Sequence, residues 1–352
     1  MSDVSCGGSN CLVVRADADP SIGIGHAMRC LALAQAWQDA GGSAVFIMST
    51  VGAALEARLR SEKMQVLRLP TPPGTDDDAV QTDGLARQLR ADVLVLDGYD
   101  FGSDYQRIVK DSSQCLMIID DVGHGDHYYA DIVLNQNLHA NEGLYLNKAP
   151  YTRLLLGTEY VLLRREFLSW RRRDRQNPET ARTMLVTLGG GDTDTLTGKI
   201  VGALRALKDL EAVVVVGDGN SNLRKLQRSL QTAGSTIRIE RNVTNMADLM
   251  DWAHMAVSAG GSTCWELAFM GLPNVVLALT EDQRMVAESL ESEGAAWNLG
   301  WHSSVSELDL AAAISKLMHD EMRRRKMSKL GRKLVDGRGA ARVVVALRRE
   351  IL

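Results

Sequence analysis

The chain of 352 residues has few of the residues that build small cross-linked or fibrous folds. Its five cysteines are odd in number and include no CxxC pair, which argues against a disulfide framework and a zinc site and favours reduced thiols. Only 7 prolines are present, which is typical of an ordinary globular protein and not of a disordered or fibrous one. No apolar run is long enough to span a bilayer, and residues 1–10 lack the basic start and apolar core of a signal peptide. The sequence therefore predicts a cytoplasmic globular protein.

A large excess of charge of either sign is also lacking. The formal net charge is −4, while 45% of the residues are hydrophobic and 24% are charged. Because nucleic-acid and membrane surfaces call for a basic face, neither is expected as a partner. We predict a small-molecule ligand and a monomeric chain.

Short apolar runs alternate with longer segments of helical periodicity, which is typical of parallel sheets with crossover helices. The first series of predicted strands is Cys11–Arg15, Ala44–Met48, Gln65–Leu69, Val93–Leu96, Cys115–Ile119 and Ile132–Leu134. The second series is Thr183–Leu188, Ala212–Val216, Thr236–Ile239, Met255–Ser258 and Asn274–Ala278. Between them, the charged stretch Trp170–Thr180 reads as an exposed linker. We predict an α/β protein of two Rossmann-like domains, residues 1–170 and 181–352, with parallel sheets facing a shared cleft.

The turn after the first strand gathers polar residues at the start of a helix. Arg15 and Asp17 end the strand, and Gly25 allows close approach of the backbone to a ligand just before His26. The helix dipole there disfavours a protonated imidazole, so His26 is predicted to be a neutral general base. An NAD-binding loop is disfavoured because Met28 replaces the third glycine of GxGxxG and the next strand ends without an acidic residue.

Two glycine turns in the second half of the chain follow strands and precede helices. They are GGGD at residues 189–192 and AGGST at residues 259–263. Because backbone amides and hydroxyl groups at such turns meet phosphate oxygens, the pair predicts a diphosphate site. Ser262 and Thr263 are predicted to cap the helix that follows. Glu266, on the first turn of that helix, is placed to accept hydrogen bonds from both hydroxyls of a ribose.

Several segments together resemble the UDP-sugar hydrolases of pseudaminic acid biosynthesis, which release 2,4-diacetamido-2,4,6-trideoxy-altrose from UDP. The resemblance covers most of the chain. It is carried by RADADPSIGIGHAMRCLALA (residues 15–34), DAVQT (78–82), DGY (97–99), DD (120–121), GGGD (189–192) and SAGGSTCWELAFMGLP (258–273). It implies a GT-B fold in which the C-terminal domain holds UDP and the N-terminal domain faces the acetamido sugar.

The resemblance also implies residue roles and a pathway. His26 is similar to the catalytic base, Tyr99 to a sugar-side residue and Glu266 to the ribose ligand, with the backbone near Asn242–Met246 at the uracil. The implied reaction is hydrolysis with inversion, without metal or cofactor, in nonulosonic acid biosynthesis for flagellin glycosylation. The predicted substrate-binding residues are Arg15, Asp17, Gly25, Tyr99, Gly190, Gly191, Asn242, Gly260, Gly261, Ser262, Thr263, Glu266, Asp282 and Gln283.

One position departs from the family pattern. The family commonly has Asn-Gln after the last long strand, whereas this chain has Asp282-Gln283. An added negative charge near a diphosphate is unfavourable unless a cation such as Arg284 compensates it.

The alternative functions are a GT-B glycosyltransferase, in which an acceptor hydroxyl replaces water, a nucleotide-sugar 2-epimerase, and a binding subunit without activity.

A cluster of ionisable residues after the fifth predicted strand allows two interpretations. Asp120, Asp121, His124, Asp126 and His127 offer the carboxylates and imidazoles of a metal site. The alternative is a loop that shapes the sugar pocket, with Asp120 or Asp121 bonding to substrate hydroxyls or amides. The second interpretation is preferred.

Overall fold

The computed structural model describes residues 10–18, 23–110, 114–189, 194–217, 236–241 and 243–351. The chain forms two compact units. The first consists of Met1–Asp19, His26–Arg165 and Gly337–Leu352, and the second of Pro20–Gly25 and Glu166–Asp336. Each unit contains one parallel sheet, so the predicted pair of α/β domains is confirmed.

The first unit is built on a seven-stranded sheet. Its strands are β1 Cys11–Ala16, β2 Ser43–Met48, β3 Gln65–Arg68, β4 Val93–Asp97, β5 Cys115–Ile119, β6 Ile132–Asn135 and β7 Arg153–Leu156. They lie in the order β3-β2-β1-β4-β5-β6-β7, and all neighbours are parallel. The helices described up to the second unit are α1 Gly25–Asp39, α2 Ala53–Ser61, α3 Asp76–Gln88, α4 Ser103–Lys110 and α5 Arg165–Leu168.

The two faces of this sheet are both covered, which explains why its strands are apolar throughout. Successive side chains of a strand point to opposite faces. Leu12 and Val14 of β1 accordingly pack in the cluster that contains the buried residues of α1. Cys11 and Val13 pack in a separate cluster on the other face. The core of the first unit therefore has two layers. The polar residues that follow the strands lie at the carboxyl ends of the strands.

The second unit is built on a six-stranded sheet. Its strands are β8 Thr183–Thr187, β9 Glu211–Val216, β10 Thr236–Arg241, β11 Met255–Ala259, β12 Asn274–Ala278 and β13 Trp297–Trp301. They lie in the order β10-β9-β8-β11-β12-β13, again with parallel neighbours. The described helices of this unit are α6 Asp194–Arg205, α7 Met246–Trp252, α8 Thr263–Met270, α9 Glu281–Ser292, α10 Glu307–His319 and α11 Glu321–Leu334.

Every predicted strand is present, with ends shifted by at most two residues. Two strands were not predicted, β7 and β13. β7 begins at the exposed Arg153, and β13 carries Asn298 and Gly300 within a half-buried run. Both lie at sheet edges. β7 has only four residues, and the apolar pattern of β13 is interrupted by Asn298 and Gly300.

The ends of the units differ from the predicted ranges for a packing reason. The last helix, α12 Gly339–Glu350, belongs to the first unit and not to residues 181–352. Its Val343 and Leu347 are fully buried in the same cluster as α1. Burial of this apolar face decides which unit the helix joins, and the linear sequence does not reveal that choice.

The predicted exposed linker is partly engaged in the second unit. The Arg175 guanidinium is half-buried and donates hydrogen bonds to the backbone carbonyls of Met250, Ala253 and Met270. These carbonyls lie at or near the C-terminal ends of α7 and α8, where helices leave acceptors without partners. Arg175 of this stretch therefore has a structural role in the second unit.

The thiol prediction is wrong at one position. Cys30, Cys115 and Cys264 are free and buried. Cys11, however, is disulfide-bonded. An odd cysteine count argues against a framework of several bridges, but it says nothing about a single one. Among the described helices, none combines the length and the apolarity required to cross a bilayer.

Candidate functional site

Ligands of open α/β sheets bind outside the carboxyl ends of the strands, where the strand order reverses direction. In the first unit this point lies between β1 and β4. Gly25 is the first residue of α1, the helix after β1, and His26 is the second. Asp97 is the last residue of β4. The topology therefore brings the predicted base and an unpredicted carboxylate to one place.

His26, Asp97 and Arg29 form one hydrogen-bonded group. Nδ1 of His26 lies 2.7 Å from Oδ1 of Asp97. Arg29 donates from Nε to Oδ2 and from Nη2 to Oδ1 of Asp97, each at 2.7 Å. His26 and Arg29 are three residues apart and share one face of α1. The Asp97 side chain is fully buried, whereas that of His26 is 14% exposed.

The charge state of Asp97 fixes the tautomer of His26. Burial alone would raise the pKa of Asp97, but the charges and hydrogen bonds of Arg29 and His26 outweigh burial and hold that pKa well below its ordinary value. Because an ionised carboxylate only accepts hydrogen bonds, Nδ1 of His26 donates its proton to Asp97. Nη2 of Arg29 lies 3.2 Å from the same Nδ1 and is a close neighbour without donating to it. Nε2 of His26 is left as the basic atom.

Asp121 completes the neutralisation of Arg29. Its Oδ2 accepts a hydrogen bond from Nη1 of Arg29 at 2.6 Å. Its Oδ1 accepts one from Nδ2 of Asn137 at 2.7 Å. Both oxygens are thus engaged within the first unit, which gives Asp121 a positioning role in place of the predicted contact with substrate.

Asp120 is occupied in the same way. Its Oδ1 accepts from the backbone amides of Val122 and Gly123, each at 2.9 Å. Its Oδ2 accepts from the backbone amide of His124 at 3.1 Å and from the hydroxyl of Tyr128. Asp120 is 1% exposed. The prediction of a substrate contact is therefore corrected here too, because the carboxylate is used to shape the loop.

Arg15 and Asp17 belong to a buried network and not to an open site. Nε and Nη2 of Arg15 donate to the two oxygens of Asp78, each at 3.0 Å, and Nη1 donates to Asp17 at 2.5 Å. The other oxygen of Asp17 accepts the backbone amides of Ser49 and Thr50. Arg15 is fully buried, and Asp78 and Asp17 keep its pKa raised although burial opposes this. These contacts tie together the ends of β1 and β2, and the contact of both residues with substrate stays a prediction.

Tyr99 is the exposed aromatic residue of this site. It follows β4 directly after Gly98, and 47% of its surface is exposed. Its ring meets that of His26 edge to face, with centroids 5.5 Å apart. On another side it meets the ring of His124 in the same manner at 5.7 Å. The structure thus places Tyr99 beside His26, and its contact with a sugar stays a prediction.

The second unit has its own reversal of strand order, between β8 and β11. The two glycine turns follow these two strands. In the second turn, a Cβ on Gly260 would lie only 2.3 Å from the backbone oxygen of Gln283, so no other residue fits there. Gly261 is more open, with the nearest atom of Gln283 4.0 Å from such a Cβ. The predicted residues Gly190, Gly191 and Asn242 lie outside the described residues.

The capping prediction for α8 is wrong. Ser262 occupies the N-cap position but makes no side-chain capping bond, and Thr263 is the first residue of the helix. The backbone of Ser262 is already helical, with φ −56 and ψ −25, whereas a capping side chain needs an extended N-cap residue. Glu266 lies on the first turn, as predicted, and is half-buried. Its contact with a ribose stays a prediction.

Asp282 is not compensated by Arg284. The Arg284 guanidinium pairs with Glu281 and Glu288, its neighbours at three and four residues on α9. Asp282 lies on the first turn of α9, where the helix dipole favours a negative charge. The dipole, and not an arginine, is therefore the local feature that favours a carboxylate at this position.

The ionisable cluster after β5 is divided among separate contacts. Asp120 and Asp121 are engaged as above, and Nδ1 of His127 lies 2.9 Å from the side-chain oxygen of Asn147. Across the described ranges, no three histidine, cysteine, aspartate or glutamate side chains are grouped to hold a metal ion.

Sequence reasoning missed Arg29 and underused Asp97. A signal for Arg29 was present, because a basic residue three positions after His26 shares its helix face. Asp97 was visible as the carboxylate directly after the predicted strand Val93–Leu96. What joins them is the adjacency of β1 and β4, whose paired residues, such as Ala16 and Asp97, are 81 positions apart in sequence.

Part of the second unit is similar to a known protein family. Residues 183–337 match the family model of the glycosyltransferase family 28 C-terminal domain. This stretch contains β8 to β13 and both glycine turns. Most of the second unit is therefore similar in sequence to that glycosyltransferase domain.

Two relatives cover different parts of the chain. The spore coat polysaccharide biosynthesis protein SpsG of Bacillus subtilis is 26% identical over 94% of this chain and 96% of its own length. A pseudaminic acid cytidylyltransferase and UDP-2,4-diacetamido-2,4,6-trideoxy-beta-L-altropyranose hydrolase of Helicobacter pylori is 25% identical, over 58% of this chain and 37% of its own length. The specific hydrolase family is thus matched only distantly and in part.

Solved structures match nearly the whole chain. The structure of MnaA from S. aureus with UDP has a TM-score of 0.68 and covers 97% of this chain and 98% of its own, at 12% identity. Two parallel-sheet α/β domains with such neighbours make up the GT-B fold, which confirms the predicted fold class.

Proposed function

We propose that this protein transfers the sugar of a UDP-sugar to an oxygen nucleophile, with inversion at the anomeric carbon. The observation that carries the proposal is the group formed by His26, Asp97 and Arg29, in which Nε2 of His26 is left basic. In support, the glycine turn at residues 260–263 follows β11, beside the reversal point of the second sheet, in a domain that matches a glycosyltransferase family model. Such turns suit a diphosphate.

The proposed reaction balances with a single base. Nε2 of His26 takes the proton from the nucleophile while its oxygen bonds to the anomeric carbon. The bond from that carbon to the β-phosphate oxygen breaks on the opposite face, and its electron pair leaves with UDP. Asp97 accepts a hydrogen bond from Nδ1–H of His26 throughout and stabilises the imidazolium that forms. Hydrogen-bond donors at the diphosphate stabilise the charge that develops on UDP.

An acceptor hydroxyl is the favoured nucleophile. The family model that matches residues 183–337 is that of glycosyltransferases, and it supports this alternative more directly than hydrolysis. Water is the second candidate, and the name of the Helicobacter pylori relative supports it. That name also makes UDP-2,4-diacetamido-2,4,6-trideoxy-β-L-altropyranose the first donor to test.

The products distinguish these reactions. The purified protein is incubated with a panel of UDP-diacetamido sugars, and the products are followed by proton NMR. Free sugar and UDP without any acceptor would establish hydrolysis, and UDP release only after addition of a hydroxyl acceptor would establish transfer. An altered sugar still bound to UDP would establish epimerisation, and a donor panel that stays unchanged with and without acceptors would refute the proposal.

Replacement of Glu266 tests the UDP site. Glu266→Ala removes a carboxylate from the first turn of α8, so we expect UDP binding to weaken by ~1.5–3 kcal/mol, the range for a hydrogen bond to a charged group. Isothermal calorimetry measures the affinity. Glu288→Ala, which removes an exposed glutamate of α9 in the same unit, is the matched control and should bind UDP normally. Equal affinities for the two variants would remove Glu266 from the site.

A further inference from the structure

His124 lies across Tyr99 from the proposed base. The Tyr99 ring meets His26 on one side and His124 on another, at centroid distances of 5.5 and 5.7 Å. Tyr99 is half-exposed, so a ligand that reaches its ring lies close to both imidazoles. The mechanism above uses only one of them.

The ring of His124 has unused hydrogen-bonding capacity. Its Nε2 is buried, and within the described ranges it has no hydrogen-bond partner. Its Nδ1 lies 3.1 Å from Oδ2 of Asp120, with which the protonated ring forms an ion pair. Buried polar atoms without partners are rare because each costs the free energy of its lost hydration. The buried Nε2 therefore points to a ligand atom as its partner.

The surroundings of His124 favour its protonated form. Burial lowers the pKa of His124, but Asp120 outweighs burial, with further contributions from Asp100 and Asp121, and the pKa is raised. Asp120 and Asp121 lie on the same loop, Asp100 follows β4, and the Tyr99 ring that contacts His124 is uncharged. A protonated imidazole donates from both nitrogens, whereas a neutral one with its proton on Nδ1 has only an acceptor at Nε2.

We propose that His124 is a second sugar-binding residue of the site, donating a hydrogen bond from Nε2 to an oxygen of the bound sugar. This proposal rests on the proposed function. Hydroxyl and amide carbonyl oxygens are the acceptors that a sugar presents. Asp120, already fixed by three loop amides and Tyr128, holds the ring in place and in its donating state.

Three variants test the proposal in the full-length protein. His124→Leu removes the donor, and His124→Gln keeps a donor that does not titrate. His127→Gln is the matched control, because His127 lies on the same loop and contacts Asn147 instead. Thermal melting first establishes that each variant is folded. Then kcat and KM for UDP-2,4-diacetamido-2,4,6-trideoxy-β-L-altropyranose, or for the panel donor that is turned over, are measured between pH 6 and 9.

We expect KM to rise about tenfold in His124→Leu with kcat changed less than twofold, because ground-state binding is lost. In the wild type and in His127→Gln, KM should increase as the pH rises through the raised pKa of His124. In His124→Gln this increase should disappear. A KM in His124→Leu equal to that of the wild type, or the same pH dependence in His124→Gln as in the wild type, would overturn the proposal.

An inactive wild-type protein would refute the proposed function. Sugar binding at His124 is then tested by a binding measurement that does not depend on activity. Protein labelled with ¹⁵N at histidine is titrated with the same nucleotide sugar. A shift of the His124 Nε2 resonance, absent with UDP alone, supports sugar binding at His124. No shift at saturating ligand contradicts it.

Discussion

His26→Asn is expected to reduce turnover by about 10²–10⁴, the range typical of general-base catalysis. Asparagine keeps a hydrogen-bonding group of similar size beside Asp97 but removes the basic Nε2. The second unit holds the proposed UDP site, so UDP affinity should hardly change. Turnover is measured as UDP release and affinity by calorimetry. His319→Asn, at an exposed histidine of α10, is the matched control and should leave both unchanged.

Two results would reassign His26. Near-normal turnover in His26→Asn would exclude it as the base. A parallel loss of UDP affinity and turnover would instead make His26 a phosphate ligand. Asp17 is not available as a replacement base, because its oxygens are engaged with Arg15, Ser49 and Thr50.

Asp97→Asn is expected to lower both turnover and stability. An amide in place of the carboxylate no longer fixes the His26 tautomer or stabilises an imidazolium, so turnover should fall on the order of 10²–10⁴-fold. The variant also leaves the buried Arg29 with Asp121 as its remaining carboxylate partner. We expect a loss of ~3 kcal/mol in the free energy of unfolding, the lower end for a broken buried ion pair, because Asp121 still contributes. Urea unfolding measures this change.

The pH dependence of unfolding separates charge from packing. The pKa of Asp97 is lower in the folded protein than in the unfolded chain, where it is near 3.8. The stability contributed by its ionisation is therefore fully present above about pH 4 and is lost as the pH falls towards the folded pKa. Asp97→Asn should flatten this acid limb. Asp104→Asn, at an exposed aspartate paired only on the surface, is the control and should keep the limb. An unaltered acid limb and wild-type turnover in Asp97→Asn would refute the assigned role of Asp97.

The strands and the reacting imidazole could be predicted because both depend on local sequence. Buried strands appear as short apolar runs, and a glycine-bearing turn before a helix marks a place for a ligand. Edge strand β13 lacked such a run, and α12 gave no sign of which core would bury Val343 and Leu347. Element type is a local property, whereas membership of a core depends on the surface that a helix meets.

The sequence by itself determined that the chain forms two parallel α/β domains and that His26 stands at a helix start. Only the tertiary structure decided which polar residues are free to act. Arg15, Asp17, Asp120 and Asp121 looked like substrate ligands, and each proved to be occupied by protein partners, because a buried charge must be paired to be tolerated. Conversely, Asp97, Arg29 and His124 gained their importance from strand neighbours distant in sequence. Pairing across a sheet is set by topology, and topology follows from the burial of whole faces rather than from any local run of residues.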